Sequence, residues 1–587
     1  MNTVQSRLKT DPSTKTVIKI TKNTFWPVFA VSFMGCLIIL YIRAWDINSA
    51  ADLMNSEDGP IFLKQARANA LASLIIPYAG YHHLIIRIVA AVSSLFPTES
   101  QPLVFLAGNL VIYSIAIALI IATLQSMKVR PVLAVCVVLL LFAKPAYNDL
   151  FLSLTNTQWM TGTAFIIYAL GYRKQNTSNI NILLAILFGL SGPFCILLLP
   201  VLALKHYVFK DKTNITLFYT LIYVTLLQIA SLIMMPRSQN PDFNLMGGIR
   251  LLPETLEALG TGFLFGSRNI IYTGLIMVIT IWALMKNRMK ERRWRTPQIR
   301  TVFYLLTVAV LLLMISVAHF IVQPEIDFNI LIEAAKYNSR YLFIPQCLFL
   351  VSTFIIVRKN TYISVLLVIC YSVVSVMNFT FLPWRDIHYA SMVNFSKYRK
   401  VNAFFNPMTE YFYPVTDISK SSFWMLTLEN KNYKELPPER AMNILPEDFK
   451  SDDAALNIEN NILHVSFDIL SVDQPATVKL KKPVQCSDTA DIGIFFNQTE
   501  TSPVRVNIGL SSGEQEKPAE TFFYEHAKNN VTVNTADENN IYAALPFNEK
   551  NTYLSIHFEN NPPSLNPVPK TVTVSLKNMV IYCLPPM

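Results

Sequence analysis

The sequence predicts a polytopic α-helical membrane protein of about eleven spans with a C-terminal extracytoplasmic β-sandwich domain. Three observations carry this. Hydrophobic residues make up 52% of the 587 positions and charged residues only 15%, a balance that favours burial in a bilayer. Long apolar runs recur from residue 25 to residue 382. After Pro383 they stop, and short segments of alternating polarity take over.

Residues 1–23 form a cytoplasmic basic tail, with Arg7, Lys9, Lys15, Lys19 and Lys22 against the single acid Asp11. The first run, Phe25 to Ile42, has no charge and suffices to cross ~30 Å of hydrocarbon as a helix. Arg43, Trp45 and Asp46 follow it in place of a small-residue cleavage site, so it reads as a retained signal anchor. The transmembrane domain covers 24–382, and residues 43–79 are its first external loop. Further runs lie at about 80–96, 102–125, 131–143, 159–171, 180–204, 214–235, 268–285, 301–322, 341–357 and 361–382. An odd number of crossings puts the C-terminus outside, and the basic loops at 286–300 and at Arg358 and Lys359 agree with the positive-inside bias. Two features leave the path of 80–210 open. Lys128, Arg130, Arg173 and Lys174 would be external in a strict eleven-crossing arrangement, and "GLSGPF" (Gly189 to Phe194) interrupts a run, as broken spans do where they line a cavity.

Residues 383–430, rich in aromatics, are expected to form an irregular connector on the membrane surface. From 431 to 587, "ILHVSFDIL", "ATVKLKK", "DIGIFF", "VRVNIGL", "TYLSIHF" and "TVTVSL" alternate with period two, the mark of half-buried strands in a sandwich. Five of the seven cysteines fall in or beside apolar runs; Cys486 and Cys583 are in the polar part, where an oxidising compartment would permit one disulfide.

The net charge of +10 does not imply a nucleic-acid partner, because its densest stretch, Lys286 to Arg300, is a loop between spans and no recognition motif accompanies it. No Walker pattern, no G-x-G-x-x-G and no Asp-x-Asp occurs, which disfavours ATP and soluble nucleotide-sugar donors. No close His/Cys cluster marks a metal site; a divalent metal is left open as a cofactor.

The first external loop carries the acids Asp46, Asp52, Glu57 and Asp58. Pro60 suits a first helical position, and "IFLKQARANALASLII" reads as one helix along the interface. Ser56, Glu57 and Asp58 either cap that helix, worth about 0.3–2 kcal/mol, or supply a general base beside the membrane. Lys64 and Arg67 share a helix face and together suit a phosphate, or extend to lipid headgroups. Arg87 follows "HHLII" inside an apolar run and should face a cavity or a partner, such as a donor phosphate or a structural carboxylate. His83 is four residues before it on the same face, whereas His82 and His83 point about 100° apart and make no metal pair. Asn156, Gln158 and Trp159 are sugar-contacting candidates; the alternative is a helix cap with an interfacial tryptophan. Arg340, at the external start of a span, can grip a phosphate with both arms of its guanidinium.

A first span followed by paired acids in "EDGPIFLKQA", together with "PYAGYHHLIIRIVA", "LTNTQW", "LSGPF" and "NSRYLFIP", resembles the GT-C superfamily of integral-membrane glycosyltransferases over about 25–385. The resemblance implies a polyprenyl-phosphate sugar as donor, an acid of the first external loop as base and a later basic residue on the lipid phosphate. On this chain Asp58 or Glu57 would be the base. The family more often has Asp before Glu, which leaves the choice between the two open, and Asp46, nearer the span end, stays a third candidate. Arg340 would hold the phosphate, with Arg87, Lys64 or Arg67 assisting, and His83, Asn156, Gln158 and Trp159 would meet sugar or acceptor. The implied activity is inverting transfer of a hexose or pentose to an O-antigen-type surface glycan or an exported protein, at the outer face of a bacterial inner membrane. The sandwich would hold the acceptor or cap the site. Two alternatives are an oligosaccharide ligase or polymerase, which would need a large central external loop, and a non-enzymatic lipid-linked sugar flippase or transporter.

Overall fold

The computed structural model describes residues 22–44, 58–142, 154–172, 178–234, 296–321, 340–377, 389–398, 401–404 and 425–428, then 434, 437–451, 454–468, 476–486, 489, 491–498, 504–511, 530–534, 540–547, 553–560 and 571–585. Asp46, Glu57 and the run at 268–285 lie outside these residues; for Arg340 the backbone is described and the side chain is not.

Helix α1 spans Lys22–Ala44. A π-helical turn, Asp58–Leu63, then leads into α2 (Lys64–Ala68) and α3 (Ala70–Ser73). The single interfacial helix expected here is broken at Asn69. That residue is extended, and its side chain accepts from the Ala72 amide at 3.0 Å, so it closes one helix and caps the next. Next comes α4 (Leu84–Ser93), whose ten residues rise about 15 Å, half of what the run at 80–96 would need to cross a bilayer. Pro102 sits in the first turn of α5 (Gln101–Ser126), where no amide donor is missed, and the helix runs about 39 Å. The chain continues through α6 (Pro131–Phe142), α7 (Thr157–Gly171), α8 (Ser178–Gly189), α9 (Phe194–Ala203), α10 (Ile215–Met234), α11 (Pro297–Ile321), α12 (Arg340–Val357) and α13 (Thr361–Met377).

α7 is the axle of this helical body. It packs on α5, α8, α9, α11 and α12, and every residue in it except Trp159 is buried. Gly162 permits the closest approach: a Cβ there would lie 2.5 Å from the Phe194 ring and 3.2 Å from Ile344 Cδ1. Among the described residues, two segments, Thr98–Ser126 and Ile215–Met234, are long and apolar enough to cross a membrane. The outward faces of the body are apolar as well, with Tyr223 71%, Ile233 75%, Val132 76% and Tyr362 90% exposed.

The stretch 383–430, expected to be irregular, contains α14 (Tyr389–Ser396) and an antiparallel pair, β1 (Val401–Phe404) with β2 (Met425–Leu428). Beyond it are β3 (Ala441–Ile444), β4 (Phe449–Lys450), β5 (Ala455–Glu459), β6 (Ile462–Asp468), β7 (Ala476–Leu480), β8 (Asp491–Gln498), β9 (Val504–Ser511), β10 (Asn530–Asn534), β11 (Asn540–Pro546), β12 (Tyr553–Asn560) and β13 (Thr571–Leu584). They make two antiparallel sheets, ordered β10-β9-β12-β7-β4 and β11-β8-β13-β6-β5, with β3 added beside the end of β13. Alternate residues such as Val465, Val478, Ile492, Ile494, Leu554, Ile556 and Val574 are buried in one core shared by both sheets. The β5–β6 hairpin turns at Asn460 and Asn461, both left-handed (φ 51° and 63°), as a two-residue loop requires. Cys486 and Cys583 are disulfide-bonded, joining the segment after β7 to β13.

The sheets do not hang free of the helices. Ser391 and Asn394 of α14 each donate to the buried Asp491 carboxylate at 2.7 Å, and the Phe395 ring lies on Gly493, where a Cβ would come within 2.7 Å of it. β2 touches the Asp58–Leu63 turn, and one apolar core runs from Phe62, Ile86 and Leu154 into the strands. The arrangement therefore presses the connector onto the turn that carries Asp58.

Candidate functional site

Four elements meet where α7 begins: the Asp58–Leu63 turn, the segment Tyr78–His83, the start of α4, and the break between α8 and α9. Tyr78 and Tyr81 exchange backbone hydrogen bonds of 2.9 and 3.2 Å around Ala79 (φ 53°) and Gly80 (φ 87°), a tight turn in which both central residues are left-handed. This turn sets Tyr78 and Tyr81 against His83, with ring centroids 5.7 and 4.5 Å away, and Phe62 closes the cluster at 5.4 Å. His83 is 1% exposed within it.

The α8–α9 break serves as a cap. The first amides of α4 have no partner inside their own helix; Leu84 N donates to Leu190 O at 2.9 Å and Ile85 N to Ser191 Oγ at 3.0 Å. Gln228 of α10, fully buried, accepts from His82 N at 2.9 Å and donates to the carbonyls of Gly189 (3.1 Å) and Gly192 (3.2 Å). The His82 ring meets Ser231 Oγ at 2.9 Å. Helix-breaking residues at 189–193 thus leave three carbonyls, those of Gly189, Leu190 and Gly192, for the Leu84 amide and the Gln228 side chain.

On this frame Arg87 is held with no solvent exposure at all. Its Nη1 donates to Gln65 Oε1 at 2.8 Å, and its Cζ stands 5.1 Å from the centre of the Phe62 ring. Its Nε and Nη2 have no hydrogen-bond partner among the described residues. A buried guanidinium with two idle N–H groups is costly, and that edge is the one that binds two oxygens of an anion in parallel.

Asp58 behaves differently. It is 2% exposed, and it accepts from Leu154 N (3.0 Å) on one oxygen and from Thr155 N (2.8 Å) and Thr155 Oγ1 (2.5 Å) on the other. Hydrogen bonds to a charged acceptor contribute about 1.5–3 kcal/mol each. The carboxylate therefore fastens the turn leading into α7, a role that its local sequence does not announce.

The other candidates separate. Lys64 is exposed, while Arg67 turns to Gln101 at the start of α5, so the two cations do not converge. Asn156 is the residue preceding α7, and its side chain makes no capping bond. Gln158, 6% exposed, has its Oε1 without a partner among the described residues and 3.5 Å from the position a Gly192 Cβ would take; Trp159 packs edge-on to Phe194 at 5.5 Å. The backbone of α12 starts at Arg340, one turn before the Ile344 that faces Gly162. Among the described residues no cluster of His, Cys, Asp and Glu could hold a metal.

Sequence reasoning missed Gln65, Asn109, Thr155 and Gln228. Asn109 is 2% exposed, with neither amide atom bonded among the described residues, on the face of α5 that also carries Phe105 and Ile112. A signal existed for two of them: Asn109 and Gln228 are polar residues inside long apolar runs.

No family model matches this chain, and no curated protein matches it. Among solved structures, 24% of the chain is similar to a low-affinity xylan-binding module of the gut symbiont Roseburia intestinalis, over 95% of that module, at 15% identity and a TM-score of 0.17. A likeness of that size carries no argument about fold or function.

Proposed function

We propose that this chain is a multi-pass membrane glycosyltransferase that moves a sugar from a polyprenyl-phosphate donor to a surface glycan or an exported protein. The supporting observation is Arg87: a cation sealed from solvent, propped by Gln65 and Phe62, with an unused edge shaped for a phosphate. Apolar outward faces of the helices favour a bilayer around the body, and the Cys486–Cys583 bond favours an oxidising compartment for the sheets.

In this reading the donor's prenyl chain enters from the lipid and its phosphate lies on Arg87, with Arg340 joining from the start of α12. A carboxylate of the first loop takes the proton of the acceptor hydroxyl as its oxygen attacks the anomeric carbon. The C–O bond to phosphate breaks on the opposite face, and the phosphate leaves as an anion stabilised by the guanidinium. Holding both reactants in line accounts for up to roughly 7–11 kcal/mol of barrier lowering. In the same reading the two-sheet region, which meets the Asp58 turn through the connector, holds the acceptor.

The test is deletion in the native host with mass analysis of surface glycans and exported proteins. One hexose or pentose should disappear, return with the wild-type gene, and stay absent with Arg87→Met or Arg340→Ala at equal protein levels. An unchanged glycan profile on deletion overturns the reading.

A further inference from the structure

We infer that Asp58 is a positioning residue that sets the outer end of α7, and that the proton in transfer is taken by a different carboxylate of the first loop. This rests on the transferase reading for its kinetic arm only. The carboxylate is 2% exposed, and both of its oxygens accept from donors of the Leu154–Thr155 segment, so it is committed to holding that segment and is closed to an acceptor hydroxyl arriving from solvent. Its three bonds join parts of the chain 96 and 97 residues apart. They end just before Asn156, Gln158 and Trp159, the first polar residues of a helix that is otherwise wholly buried and cannot adjust by sliding.

The chemistry of the substitution is specific. In Asp58→Asn one oxygen becomes an NH2 group, which faces a backbone N–H and cannot accept from it. Thr155→Val removes the hydroxyl bond and leaves both amide bonds; Thr155→Ser keeps all three. If Asp58 fixes α7, the Asn and Val variants displace the same element, and the Ser variant does not.

The experiment has two readouts on the full chain in nanodiscs. The first is 19F NMR of protein carrying 5-fluorotryptophan, the Trp159 signal being assigned by its loss in Trp159→Phe. The inference expects that signal to move in Asp58→Asn and in Thr155→Val, and to return in Thr155→Ser. The second is transfer kinetics: Asp58→Asn and Thr155→Val should each lower kcat, by about 10²-fold where the displacement reaches 1 Å, and keep the acid limb of the wild-type pH profile. Their effects should be less than additive in the double variant. A Trp159 signal that stays put in both variants, or an acid limb that vanishes in Asp58→Asn while Thr155→Val transfers like wild type, overturns the inference. Wild-type protein that transfers no sugar would overturn the transferase reading and leave the NMR arm to decide this one.

Discussion

Among the described residues of the helical body two cations are sealed from solvent, Arg87 and Lys205, and they are buried in opposite ways. Lys205 Nζ donates to Ala169 O at 3.0 Å, in the last turn of α7, where a positive charge meets the negative pole of the helix. Around it Asn214 reaches Tyr168 O and Tyr172 O, and Thr301 reaches Leu170 O, all at 3.5 Å, so the helix's closing carbonyls are met from three other elements. Arg87 lies near the other end of the same axle and has, among the described residues, one hydrogen bond, one aromatic ring and an Nε and Nη2 that are idle. A cation retained for stability sits among fixed acceptors. One whose donors are idle among the described residues is the one that the proposed function gives to a phosphate.

The largest effect that would break this comparison is expected at the anionic end of α7. Asp58→Ala strands two amides and a hydroxyl in a dry site, and it should cost about 3 kcal/mol or more in denaturant unfolding of the helical body. Next is Lys205→Met, expected to lose about 1.5–3 kcal/mol while transfer per folded molecule stays at the wild-type level. Gly162→Ala, which drives a methyl into the Phe194 ring, should cost about 1–3 kcal/mol and separate tight packing of α7 from its end contacts. The smallest stability change belongs to Arg87→Met. Removing an incompletely bonded buried charge should leave the unfolding midpoint unchanged or raise it, although transfer is lost. A loss in Arg87→Met as large as in Lys205→Met would make the two cations equivalent and the contrast void.

Several strands of the two sheets are legible in the sequence. The alternation in "ATVKLKK" and "DIGIFF" marks β7 and β8, because a pleated strand with one wet face must repeat every two residues. β10, "NVTVN", and β5, "ALNIE", carry the same period, but β5 lies almost wholly exposed and β10 is bounded by Asn at both ends, so neither stands out from a loop. α14 escaped for a similar reason, since eight residues give two turns and little amphipathic pattern. At the site, Arg87 was marked by its own cost as a charge in an apolar run. What it does with each nitrogen was not legible, because Gln65 and Phe62 come from another element. Asp58 shows the limit most clearly. Its local sequence offers a cap or a base, and the hydroxyl that actually engages it stands 97 residues further on.

The most direct measurement is binding of a polyprenyl phosphate, without sugar, to the purified chain in nanodiscs, read by the shift in its thermal unfolding. A phosphate on the idle edge of Arg87 should raise the Tm of wild type and of Lys205→Met, and leave that of Arg87→Met where it was. Equal stabilisation of Arg87→Met and wild type would contradict the account.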